Sequence, residues 1–374
     1  MLKTALKFIL FDKPKSIGAL AGTIMSVFLI GQQCGIFIFL TNAMSTLVRN
    51  NTGYIWVVDS KTTNVNALIS LDNRIGYSLA SIKGVEKVYP MVVSSGSARF
   101  ANGMSSGLTL IGVQAPGFVG GPWNFPTNIP KSVMLQDEAV VTDYFDKKTL
   151  GYIELGQYFE INGKKVLNIA NTRGVRSFGG VYAFTTIERA RSLGSFSTAK
   201  SSAFLVKING DADEATVIKR INNSIPNIHA WNAQDFANQT IITVLKSSGI
   251  AISFGTLIIF ALIVGFVIIG LTLYSSAIDR IKDYGTLKAI GATNGYIRGL
   301  IITQAVIFAI VGFIIGMAMV EGFRNGVANA GTIFQYPLWL RFVFFGLTLM
   351  IALFGSSFAI RRITSLEPAQ VFRG

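Results

Sequence analysis

Four stretches of this 374-residue sequence, 17–40, 250–273, 297–320 and 338–360, contain no Asp, Glu, Lys or His. A helix rises about 1.5 Å per residue, so some 24 residues reach about 36 Å. That crosses a hydrocarbon layer about 30 Å thick with some tilt. Backbone amides find no water in lipid, so such runs cross as helices. Composition agrees: 14% of residues are charged and 51% are hydrophobic, against about 25% charged in soluble domains. The first run is too long for the apolar core of a cleavable signal peptide and is read as a retained helix. Gly31 and Gly35, like Gly312 and Gly316, are spaced four apart, a spacing that suits close helix–helix packing.

Between the first and second runs lies a polar stretch, 41–246, read as a separate α+β domain. Residues 54–58 (Y-I-W-V-V) read as a buried strand, and Leu71, Ile75, Leu79 and Ile82 step at helical spacing before a strand over 85–93. The pattern returns as a strand at 203–208, a helix at 211–225 and a strand at 228–231. Two β-α-β units therefore bracket a Gly-rich, strand-rich insertion at about 94–202. Asn162-Gly163 between β-type residues predicts a hairpin there. Asn232 is a candidate cap for a helix through Phe236 and Ile241 that runs straight into the second apolar run as a stalk.

Charge placement gives orientation. Residues 1–16 carry Lys3, Lys7, Lys13 and Lys15 against Asp12, and they pattern as an amphipathic surface helix ended near Pro14. Arg280, Lys282, Lys288 and Arg298 lie in 275–298, and Arg361, Arg362 and Arg373 in the tail, 361–374. The loop after the third run has Arg324, and Arg341 beside Tyr336 and Trp339 suits an interfacial position. The positive-inside rule places both termini and 275–298 in the cytoplasm, with the large domain outside. The net charge of +14 is thus spread over the helix ends and the polar domain and forms no stripe for nucleic acid. One cysteine, Cys34, and one histidine, His229, provide neither a disulfide framework nor a metal-ligand set.

The 275–298 segment is charged and helix-favouring. Ile278, Ile281, Leu287 and Ile290 recur on roughly one helical face, leaving Asp279, Arg280, Lys282, Asp283 and Lys288 mostly elsewhere. A solvated turn or a surface gripped by a partner both fit that pattern. No G-x-x-x-x-G-K-[ST] loop occurs in the sequence, so a nucleotide phosphate has no cradle of that kind. Spans without carboxylates also argue against an ion-coupled carrier.

The decapeptide 283–292, D-Y-G-T-L-K-A-I-G-A, resembles the signature between the second and third helices of FtsX-like (MacB-type) ABC transporter permeases. The tail L-E-P-A-Q-V-F-R, with Glu367, Pro368, Phe372 and Arg373, is similar to that family's C-terminal ending. Topology resembles it too, closest in outline to DevC-like permeases. Asp283 departs from the family in standing where Glu is commoner, and the middle of the external domain matches only in outline.

The resemblance implies a non-enzymatic homodimeric permease of the bacterial inner membrane, with its large domain in the periplasm. Its coupling helix would include Ile278, Arg280, Ile281, Lys282, Asp283, Tyr284, Gly285, Leu287, Lys288, Ala289 and Gly291, seated on a separate cytoplasmic ABC ATPase. In that picture the apolar positions dock on the membrane helices while Arg280, Lys282, Asp283 and Lys288 face the ATPase. ATP with Mg2+ would bind that partner, and this chain would bind no cofactor. Motion would pass to a periplasmic adaptor and a TolC-like outer-membrane channel, driving export. An FtsX-type regulator of a cell-wall hydrolase, a lipoprotein-releasing permease and a plain membrane receptor are the alternatives.

Overall fold

The computed structural model describes residues 1–11 and 13–364 and divides into two compact units, 1–38 with 250–374, and 39–249. In the first unit, α1 (Leu2–Phe11) precedes α2 (Lys13–Arg49), whose last residues belong to the second unit. The rest comprises α7 (Ile250–Asp279), α8 (Ile281–Ala289), α9 (Asn294–Ala328) and α10 (Leu338–Thr364). Helices α2, α7, α9 and α10 are long and apolar enough to cross a membrane. Helix α1 ends at Phe11, and Pro14 sits in the first turn of α2, where its missing N–H costs nothing.

Small residues set the spacing of these helices. A Cβ on Gly316 would come within 2.7 Å of Val27, and one on Gly31 within 2.5 Å of a Val320 methyl. Gly312 abuts Thr23, so α2 and α9 approach with backbone almost touching side chain, and Gly35 abuts Phe334 and Tyr336 of the loop before α10. The Tyr336 hydroxyl donates to the Gly31 carbonyl at 2.7 Å. Ser26 likewise donates to the Ala261 carbonyl of α7 at 3.1 Å, satisfying polar groups that lipid would leave bare. Arg341 pairs with Glu321 of α9 at 2.8 Å, a protein partner where the sequence suggested only an interfacial position.

The second unit is built on one sheet of nine strands, in the order β11-β1-β10-β3-β4-β8-β5-β7-β6. Strands β1 (Ile55–Asp59), β3 (Val85–Arg99), β10 (Ala203–Ile208) and β11 (Ile228–Trp231) carry the crossover helices α3 (Arg74–Ala80) and α5 (Glu214–Ser224). Neighbours among these four strands are antiparallel, so each β-α-β unit is split by a strand of the other. This is the ferredoxin-like arrangement. Leu71 is not helical; it belongs to the short β2 (Leu71–Asp72), paired with β9 (Lys200–Ser201).

The insertion does not begin as a separate element at 94, because β3 runs unbroken through that point. Its remaining strands are β4 (Ser105–Val113), β5 (Ala139–Asp143), β6 (Tyr158–Ile161), β7 (Lys164–Thr172) and β8 (Val181–Thr186), the last followed by α4 (Ile187–Gly194). Strand β6 pairs back onto β3 through Ala98↔Ile161 and Arg99↔Glu160. Six strands, β3-β4-β8-β5-β7-β6, thus close into a ring with no free edge. Leu108, Leu110, Val140, Ile161, Val166 and Ala183 are among the residues of one of its apolar clusters. Asn162 and Gly163 turn the β6–β7 hairpin at φ +51° and +76°, the left-handed geometry that matches strand twist.

Alternate residues of β1 enter different cores. Ile55 and Val57 join Leu79, Phe204 and Val217 under α3 and α5. Trp56 and Val58 face the other way, with Leu47 and Val48 of α2 and with Phe236 and Ala237 of α6 (Ala233–Ser248). The Asn232 side chain caps α6 by accepting from Gln234 N at 2.8 Å. Helix α6 does not run straight into the second span, however. Gly249 ends it at φ +66°, where glycine pays no Cβ penalty for the left-handed turn.

Candidate functional site

The segment singled out in the sequence is three pieces of secondary structure. Arg280, at φ −105° and ψ 23°, breaks α7 from α8. At its other end, the amides of Gly291 and Ala292 close onto the carbonyls of Lys288 and Leu287. Gly291 takes φ +99° there, and Thr293 caps α9 by accepting from Tyr296 N at 3.2 Å.

The inner face of α8 is polar and aromatic. Arg280 is 8% exposed and Tyr284 2%. The Arg280 guanidinium lies 4.6 Å from the Phe8 ring centroid and 5.0 Å from that of Phe11, both on α1. Phe8 also meets the Tyr284 ring at 5.6 Å between centroids. Burial pushes the Tyr284 phenol above its ordinary value, opposed by its hydrogen bond with Gln304 of α9. Cation–π contact offsets part of the desolvation of Arg280. Lys15 pairs with Asp279, tying α2 to the end of α7. Lys288 Nζ donates to the Thr364 carbonyl at the end of α10, 3.0 Å away. Every helix of the first unit therefore reaches this one short segment.

The outer face is different. Lys282, Asp283, Thr286, Ala289, Ile290 and Gly291 are exposed, Ile290 at 77%. Ile281, Leu287 and Lys288 are half-buried, and Gly285 is buried beside Tyr284. Two expectations are corrected here. Arg280 does not face outward, and the isoleucines do not share one buried face. Ile278 belongs to α7, and the non-helical Arg280 resets the phase before Ile281. A periodicity counted through the break could not hold. Sequence reading also missed Phe8 and Gln304, which meet Tyr284 of α8, and Phe11 and Lys15, which meet Arg280 and Asp279 just before it; the phenylalanines on an amphipathic helix were the available signal. Glu367, Pro368, Phe372 and Arg373 lie outside the described residues.

Residues 255–368 match the FtsX-like permease C-terminal family. This part of the chain is an FtsX-like permease domain. It takes in most of α7 and all of α8, α9 and α10, so the anchored segment and its exposed face lie inside it. An uncharacterized ABC transporter permease of Mycobacterium tuberculosis is 28% identical over 117 residues, 30% of this chain and 31% of that protein. A macrolide export ATP-binding/permease protein, MacB, of Paracoccus denitrificans is 28% identical over 182 residues. That covers 45% of this chain and 26% of MacB. The chain thus spans about a third or less of the relatives it matches.

Among solved structures, the periplasmic region of MacB from Actinobacillus actinomycetemcomitans aligns with 51% of this chain and 94% of its own length. Identity is 16% and the TM-score 0.39. The extracellular domain of the transporter YknZ from Gram-positive bacteria covers 48% of this chain and 98% of itself, at 16% identity and a TM-score of 0.34.

Proposed function

We propose that this chain is the membrane subunit of an ATP-driven exporter, and that α8 of its FtsX-like domain receives the stroke of a separate cytoplasmic ABC ATPase. The observation carrying this reading is the two-sided character of α8. Its inner side is tied to α1, α9 and α10, with Lys15 of α2 paired to Asp279 just before it, and its outer side offers Lys282, Asp283, Thr286 and Ile290 to a partner. A lever needs both: a rigid seat and a bare handle. ATP with Mg2+ would be held by the ATPase. A homodimer supplies one α8 to each of two ATPase subunits.

On this reading the basic residues around α1, α8 and the tail lie in the cytoplasm. The sheet domain is then periplasmic, and movement reaches it through α2 and through the connection at Gly249. A periplasmic adaptor and an outer-membrane channel complete the path. Export rests on the size of the domain between the first two spans. The Paracoccus relative is named for macrolide export, so a macrolide is the cargo to try first.

A photo-crosslinking residue at Ile290 should give an adduct with an ABC ATPase, identified by mass spectrometry from intact cells. Asp283→Lys should lower co-purification of that ATPase about tenfold, equivalent to one lost charge contact of about 1.4 kcal/mol. Adducts containing no ATPase, together with unchanged co-purification, would sink the reading. Orientation has its own check. Lys219, exposed on α5, replaced by cysteine should react with an impermeant maleimide added to spheroplasts, while Thr286→Cys should react only after lysis. The reverse order would invert the topology.

A further inference from the structure

Helix α1 has two faces, and only one is accounted for by the protein. Thr4, Ala5, Phe8 and Ile9 turn inward, and α1 packs along α9 with Ala5 fully buried. On the outer side, Leu2, Leu6 and Leu10 form one row at four-residue spacing. Lys3 and Lys7 form a second row one residue on, about 100° around the helix. All five are exposed, as are Phe11, Lys13 and Ile17. Residues 1–11 contain no acidic side chain. An apolar row beside a purely cationic one fits the boundary between acyl chains and anionic headgroups.

The opposite face of the same helix carries Phe8, the ring that covers Arg280 and Tyr284. One guanidinium nitrogen of Arg280, Nη2, is buried without a hydrogen-bond partner among the described residues. A desolvated cation so placed depends on the phenyl faces; remove them and it must turn toward water, moving the hinge between α7 and α8. We propose that α1 is a brace that locks α8 only when an anionic phospholipid surface holds its lysine row. Leu2, Leu6 and Leu10 enter the acyl region, Lys3 and Lys7 meet lipid phosphates, and Phe8 is thereby pressed against Arg280 and Tyr284. Arg280 acts as a positioning residue for α8. The reading of α8 as the ATPase-binding segment gives this brace its purpose: membrane charge sets how stiffly the stroke is received.

The test uses the full chain alone, with no ATPase, in nanodiscs of phosphatidylcholine with or without added phosphatidylglycerol. Hydrogen exchange is read by mass spectrometry on peptides covering 278–290. Two lysines near an anionic surface make binding roughly tenfold or more tighter, so exchange there should be about tenfold slower with phosphatidylglycerol. The Lys3→Gln, Lys7→Gln double variant should erase the difference between lipids. Phe8→Ala should exchange fast in both, while peptides within 203–231 stay unchanged as a control for folding. Arg280→Gln should lose the protection that Arg280→Lys partly keeps. Equal exchange in the two lipids, or Phe8→Ala matching the parent, would overturn the brace. So would equal protection by soluble inorganic phosphate in phosphatidylcholine discs, which would assign the lysines to a free anion. Failure here leaves the ATPase contact untouched, because no ATPase is present.

Discussion

Trp56→Ala should destabilise the sheet domain by about 3–5 kcal/mol, the usual loss for a large buried aromatic. Trp56 lies in the middle of β1, fully buried. Its ring meets Phe236 of α6 at 5.9 Å, and Phe236 stacks on Trp231 at 6.0 Å. Thr240 of α6 adds a hydroxyl that accepts from Val65 N at 3.1 Å. The same core contains Leu47 and Val48, so both connections of the domain to the spans are fastened around this one tryptophan. Truncation should therefore loosen α6 as well as lower stability. Trp56→Phe should cost only about 1–2 kcal/mol, because the indole N–H it removes has no hydrogen-bond partner among the described residues. Chemical unfolding of the full chain in detergent, followed by tryptophan fluorescence, measures both. A loss for Trp56→Ala near the surface-substitution level of about 0.5 kcal/mol would show that this core does not depend on Trp56.

How far the sequence could be read depends on the range of the force involved. The spans were legible because lipid disfavours charge along the length of a helix, a rule that needs no partner. Local rules also sufficed for the Asn162-Gly163 hairpin and the Asn232 cap, where a side chain and its own backbone decide the conformation. The domain's β-α-β units showed for a related reason: β1 is covered on both faces and reads as an unbroken apolar run. Long-range facts stayed hidden. Ring closure depends on Ile161 finding Ala98, a register that neither strand states. Arg280 looked like a surface charge because the rings that cover it come from the first turns of the chain. The break at Gly249 was legible in principle, since glycine after Lys246, Ser247 and Ser248 fits a helix stop.

Stability of the domain should fall by about 2 kcal/mol as pH rises from about 5.5 to about 7.5, and Asp146→Asn should flatten that slope. Asp146 ends a short turn after β5 and is 2% exposed. Burial pushes its carboxyl up to about 7; Arg176, 2.8 Å away, opposes the rise and neighbouring Asp143 adds to it. Between the unfolded value of about 3.9 and 7, the folded domain keeps a proton that the unfolded chain has released. Rising pH therefore favours the unfolded chain. Asp143 accepts from Thr172 Oγ1 at 2.9 Å and from Val175 N at 2.8 Å. Together the two carboxyls pin the loop between β7 and β8, with Arg176 as its outer latch. Below pH 6 the neutral Asp146 sits in its site without charge cost; above pH 7 it must ionise in a poorly solvated place with only Arg176 to compensate. Unfolding midpoints at several pH values, compared between the parent and Asp146→Asn, give the slope directly. An equal slope in the two proteins would move the titration to another group.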